Sequence, residues 1–211
     1  MARPPAWHPW YRPGYRPPGY WWRPVTAAAL TSWFVWGPWG QPVYYSYGTG
    51  GTVYYEGDTV YIEGDEYGSS DQYFQDTYNV ADAVPEISDE QADTMEWMPL
   101  GVFAVTQEDV NATNLLIQLA VSKDGIIAGT IYNETTEVAH PLEGMVDQKT
   151  QRAVWKAADG TNENIVMEAG IFNLAEDTAT VLVHFGPETT QTWTLVRIDP
   201  PEEWEEQPAT E

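Results

Sequence analysis

Between Trp97 and Asp199 the chain alternates short apolar runs with turn-forming clusters. A recurrence at about 8–12 residues is the spacing of an all-β barrel or sandwich. The runs predict eight strands, at Leu100–Val105, Asn114–Ser122, Ile126–Tyr132, Thr136–Gly144, Gln151–Ala157, Asn164–Phe172, Thr178–Phe185 and Thr190–Ile198. Side chains alternate faces along a strand, so Leu115, Ile117, Leu119 and Val121 share one face and Leu116, Gln118, Ala120 and Ser122 the other. Ser122-Lys123-Asp124-Gly125 and Asp159-Gly160 supply turn chemistry between consecutive strands. Short connections imply a meander, and eight such strands can close into an antiparallel barrel without exposed edges. Several strands are apolar on both faces, so the outer face also needs cover from another element or a second subunit.

Upstream, the period changes. Phe74, Tyr78, Ala81 and Val84 recur at helical spacing, with Ser69 placed as N-cap and Gln72 three residues later. The pattern predicts one helix over 71–83, ended by Pro85. Thr52–Tyr67 reads as a β-hairpin turning at Glu56-Gly57-Asp58. Val25–Val35 is apolar over about 11 residues, too short for the roughly 20 that a membrane span requires, so it reads as a short packed or surface helix. No secretory leader is visible at Met1–Pro5. Residues 1–51 are dense in Trp, Tyr, Pro and Arg, which predicts a low-complexity, disordered tail. The expected division is therefore a tail at 1–51, a hairpin, helix and acidic linker at 52–96, a β-domain at 97–199 and an acidic disordered tail at 200–211.

Charge narrows the partners. The net charge is −23, and it is segregated. Residues 1–55 hold four arginines and no acid, while the rest of the chain holds all 32 acids against five bases. A folded part of that sign repels phosphate backbones, so nucleic acid is not an expected partner. The arginine and aromatic residues of the tail can stack on sugars of wall or matrix material, or on the protein's own acidic half. The chain has no cysteine, which excludes disulfides, thiol nucleophiles and zinc–thiolate sites.

Catalytic signatures are lacking in the sequence. His8, His140 and His184 stand apart from any metal-ligand spacing. No serine lies in a Gly-x-Ser-x-Gly string, and there is no phosphate loop or dinucleotide fingerprint. No cofactor and no catalytic residue is expected. Glu56, Asp58, Glu63 and Asp65 could gather oxygen ligands for calcium at the hairpin ends, although acidic turns are usually solvated. Asn111-Ala112-Thr113 and Asn133-Glu134-Thr135 are glycosylation sequons. If the barrel holds an apolar ligand, Tyr132, Trp155 and Trp193 are the side chains expected to line it; core filling is the competing role.

Four strings carry a family resemblance: Trp97–Gln107 (WMPLGVFAVTQ), Gln118–Lys123 (QLAVSK), Glu143–Asp147 (EGMVD) and Leu182–Gly186 (LVHFG). They resemble planctomycete extracytoplasmic proteins labelled protocadherin-like or putative cell-surface proteins. Pro42–Tyr45 and Gly51–Tyr61 fit the same likeness, which spans most of 36–198. The resemblance implies a bacterial cell-envelope or secreted location and no established activity. The leading expectation is a non-enzymatic envelope module that binds or spaces. A carrier using the barrel interior for a small apolar ligand is the alternative, followed by a hydrolase with a carboxylate pair.

Overall fold

The computed structural model describes residues 25–35, 41–88, 91, 94–107 and 114–199. The arginine–aromatic stretch at 1–24 with His8, residues 36–40, the sequon at 111–113 and the acidic segment from 200 onward lie outside the described residues. In chain order the elements are α1 (Ala27–Trp33), β1 (Val53–Glu56), β2 (Thr59–Ile62), β3 (Asp65–Ser69) and α2 (Ser70–Asp82). They continue as β4 (Trp97–Gln107), β5 (Leu115–Ser122), β6 (Ile126–Asn133), β7 (Val138–Val146), β8 (Arg152–Ala157), β9 (Ile165–Gly170), β10 (Thr178–Phe185) and β11 (Thr190–Arg197). Among the described residues no helix is long and apolar enough to cross a membrane.

The eight predicted strands are β4–β11, and they close. Each pairs antiparallel with the next, and β11 returns to β4 from Trp193↔Gln107 to Arg197↔Phe103. The fold is thus the barrel of the two expected architectures. Strand ends differ where turns compete. β4 begins three residues earlier than the apolar run suggests, passing Pro99 through a register shift between Pro99 and Gly101. A bulge is where a strand tolerates a residue that cannot donate to the ladder. β7 starts only at Val138, because Asn133 Oδ1 accepts from the backbone N–H groups of Thr135 (2.9 Å) and Thr136 (3.2 Å), prolonging the turn. The expected hairpin gains a third strand, β3, whose single apolar residue, Tyr67, gave no periodic signal.

Alternation sends one series inward. Ile117, Leu119, Ile127, Trp155 and Val181 are fully buried in one continuous core. Each large side chain removed from water contributes roughly 1.5–3 kcal/mol before entropy is counted. One end of the barrel is closed. There α1 starts at Thr26, whose hydroxyl oxygen accepts from Ala29 N (3.2 Å), and its Leu30, flanked by Val25 and Phe34, joins the barrel core. Val35 N donates to Lys123 O (3.2 Å) in the β5–β6 turn.

Residues 41–47 then strap the same end. Val43 N donates to Gln151 Oε1 (2.8 Å), Tyr45 N to Asn173 Oδ1 (2.8 Å), and the Tyr45 hydroxyl to Thr150 O (2.6 Å). Arg197 completes the closure: it donates to Leu100 O (2.9 Å) and Leu174 O (2.6 Å), with its guanidinium 4.8 Å from the Phe103 ring centre. Two packed segments therefore lie within the 1–51 stretch that composition alone reads as tail. They are apolar or tyrosine-bearing pieces between Pro- and Gly-rich ones.

The outer face of β8–β10 is covered by a second layer. Phe74 and Ala81 of α2 pack on Val154 and Val166, and Tyr45, Tyr47, Val53, Val60 and Tyr73 pack with Leu182. Ser69 caps α2 by accepting from Gln72 N (3.2 Å), as its spacing predicts.

Candidate functional site

The end of the barrel opposite α1 holds a cavity of about 230 Å³. Its apolar wall comes from inward positions of β5–β9, including Ile131, Leu142, Trp155, Ile165 and Met167. Trp155 faces Gly144 across the β7–β8 ladder. A Cβ at Gly144 would stand 1.9 Å from Val154 O and 2.6 Å from Trp155 Cα, so a bare backbone there lets β8 seat the large indole. Trp155 is fully buried, and its Nε1–H has no hydrogen-bond partner. A buried donor left unmet costs about 1–3 kcal/mol.

At the rim, His140 and Thr161 contribute polar groups to the same wall. His140 Nδ1 lies 2.7 Å from Asp159 Oδ2, and Thr161 Oγ1 donates to Asp159 Oδ1 (2.5 Å). The Thr161 hydroxyl first, and His140 next, hold the Asp159 carboxyl down to about 2. An ionised Asp159 accepts from Nδ1–H, which in the neutral ring leaves Nε2 as an acceptor. A mostly apolar concavity with a few placed polar groups is the usual form of a small-molecule site.

Of the three aromatic residues expected from sequence, only Trp155 lines this cavity. Trp193 does face inward, packed on the core and 5.9 Å from Phe185, with its Nε1–H donating to Gln191 Oε1 (2.8 Å); it forms no part of this wall. Tyr132 takes the other face. Its neighbour Ile131 packs inward, and Tyr132 sits opposite Leu116 and Ala139 on the outside of β6. One residue of strand phase decides the face. His140 and Asp159 were not singled out as a pair. They lie on β7 and in the β8–β9 loop, and only the closed ladder brings them together.

A second polar cluster, on the outer face, was also missed. Arg152 Nη1 lies 2.7 Å from Glu168 Oε2 and 2.8 Å from the Tyr73 hydroxyl; that hydroxyl donates to Glu168 Oε1 (2.5 Å). Thr77 Oγ1 is within 3.3 Å of Arg152 Nη1 and 3.4 Å of Glu168 Oε2. Glu168, Tyr73 and Thr77 are fully buried. Burial first, then the Glu168 carboxylate, pushes the Tyr73 hydroxyl well above its ordinary value. Beside the cluster, His184 Nδ1 meets Thr190 Oγ1 (3.0 Å) while Nε2 is buried without a partner. The sequence held only a partial signal. Arg152 and Glu168 each share a strand face with a valine that turns out buried, Val154 and Val166. The arrangement docks α2 on the barrel.

The acidic hairpin does not converge on a point. Asp58 Oδ1 accepts from the Ser70 hydroxyl, tying β1–β2 to the start of α2. Among the described residues no group of three or more His, Asp or Glu side chains is placed to hold a metal ion. No protein-family model matches the chain, and neither a curated protein nor a solved structure matches it.

Proposed function

We propose that this chain is a non-enzymatic binding module that takes a small apolar ligand into the open end of its barrel. One observation carries the reading: a barrel closed at one end by α1 and its strap keeps an apolar cavity of about 230 Å³ at the other. A concave, mostly apolar space at the open end of a barrel is a usual place for a small molecule to bind. The setting that goes with this reading is the bacterial cell envelope or its exterior, as the sequence resemblance implies. Recovery of the protein only from the cytoplasm of its source would refute that setting.

The binding reading is tested with toluene, followed by amide and methyl NMR. The expected result is saturable shifts centred on Ile131, Leu142 and Met167, lost in Met167→Trp, whose added bulk occupies the cavity. Shifts that never saturate, or that survive unchanged in Met167→Trp, overturn it.

A further inference from the structure

We infer that the ligand of this cavity is a neutral ring compound bearing a hydrogen-bond donor, a phenol-type hydroxyl or a ring N–H, which is received by Nε2 of His140 at the rim. The inference rests on the cavity reading above and adds the chemistry of the occupant.

The placement of His140 comes first. In the β6–β7 ladder His140 stands opposite Ile131. Residues directly opposite in an antiparallel pair share a face, and Ile131 packs on the barrel core. His140 is therefore an inward residue, and it belongs to the cavity wall with Ile131 and Leu142. Its side chain is 38% exposed, so the ring is open to an arriving molecule.

The ring is also oriented. Nδ1 lies 2.7 Å from Asp159 Oδ2, and Asp159 is in turn held by the Thr161 hydroxyl. A carboxylate on Nδ1 keeps the proton there, which leaves Nε2 with its lone pair. Among the described residues Nε2 has no hydrogen-bond partner. An acceptor at this place calls for a donor on the ligand.

Size and charge narrow that donor. A dry cavity of about 150 Å³ admits benzene, so one of about 230 Å³ admits a ring with short substituents. Lys156 borders the cavity, but its ammonium is held 2.6 Å from Asp82 on the outer side. Asp159 is engaged by His140 and Thr161. A charged ligand would shed its hydration against a mostly apolar wall whose own charges are already paired. The described turns at this end, residues 134–137, 158–164 and 186–189, carry Glu134, Glu137, Asp159, Glu163 and Glu188 and no lysine or arginine, which repels anions further. A neutral donor meets Nε2 without either cost.

Four probes separate these features in the full chain at pH 8, where a phenol keeps its proton. p-Cresol carries the donor, and p-xylene has a methyl group in its place. 4-Methylanisole keeps the oxygen but has no proton to give. Benzylammonium is the cation that the acidic mouth attracts. NMR titration gives each affinity, and the nitrogen resonances of the His140 ring, assigned by through-bond correlation to its backbone, report its tautomer and contacts. The free ring is expected to hold its proton on Nδ1. p-Cresol should move the Nε2 resonance upfield, as donation to that nitrogen does, whereas p-xylene and 4-methylanisole should not. Water solvates p-cresol better than p-xylene before either binds, so the hydrogen bond is read as a ratio. The affinity of p-cresol relative to p-xylene should fall on the order of tenfold in His140→Phe, the worth of one good hydrogen bond. Benzylammonium should bind weakest.

Saturable p-cresol binding that leaves Nε2 unmoved, a proton on Nε2 in the free ring, or an unchanged ratio in a folded His140→Phe would overturn the donor inference and leave the apolar cavity standing. Benzylammonium binding as tightly as p-cresol would overturn the choice of a neutral ligand. Failure of all four to bind would sink both the inference and the reading beneath it. The ring resonances are read in the unmodified chain, so the test holds even if His140→Phe folds poorly.

Discussion

Both faces of β8 are buried, and they treat polar groups in opposite ways. On the outside, Arg152 is surrounded by Glu168, Tyr73 and Thr77, all supplied by the chain. On the inside, three residues along, Trp155 belongs to the cavity wall, and its N–H is buried without a hydrogen-bond partner. Native structures pair their buried polar groups almost without exception. The Arg152 cluster on the outer face is thus spent on docking α2, and the open end of the barrel carries the cavity.

The largest effect that could break this comparison comes from the outer pair. Arg152→Met strands the Glu168 carboxylate in an apolar layer, which costs about 3–5 kcal/mol. Arg152→Met with Glu168→Leu removes both charges and should regain most of that loss, because a buried pair is worth little more than its apolar replacement. Urea unfolding of the two variants measures this. A single variant within about 1 kcal/mol of the unmodified chain would mean that the cluster is not committed as described.

How much of this was legible in the sequence follows strand by strand. The eight barrel strands were readable because turns such as Ser122–Gly125 separate the apolar runs. The strand phase was readable only where polar residues mark it. In β5 they do. At Ile131-Tyr132 both residues are large and apolar, so nothing local chooses which faces in. The Arg152–Glu168 pair was hidden because a charged residue in a strand normally faces water, and the layer that buries it comes from α2, distant in sequence. Closure by α1 was hidden too, since Val25–Phe34 carries no signal for what it covers.

A smaller effect belongs to His184, beside the outer cluster. Burial first, and Arg152 in the same direction, pull its pKa below the ordinary value, while Glu168 opposes them. The folded chain thus resists a proton that the unfolded chain takes up near pH 6.5. Stability is therefore complete above that pH and falls as pH drops below it, by up to about 1.4 kcal/mol per pH unit. His184→Gln should flatten this slope between pH 7 and 5.5 in urea unfolding. An unchanged slope would mean that the histidine is solvated in the fold, and the outer layer looser than its packing implies.

The smallest effect, and the one that sharpens the contrast most, is at the open end. The Asp159 side chain is 30% exposed even though it is paired with His140 and Thr161. Its carboxyl is held down to about 2, so its contribution is present above the ordinary carboxyl value near 4 and disappears as pH falls toward 2. Solvent screening keeps that contribution under about 1 kcal/mol. Asp159→Asn should therefore unfold within that margin of the parent at pH 7, and the two should converge between about pH 4 and 2. Its effect should fall instead on the cavity rim, where His140 loses the carboxylate that fixes its ring. A cost for Asp159→Asn as large as for Arg152→Met would mean that the open end is also committed to stability. The two faces of β8 would then no longer teach different things.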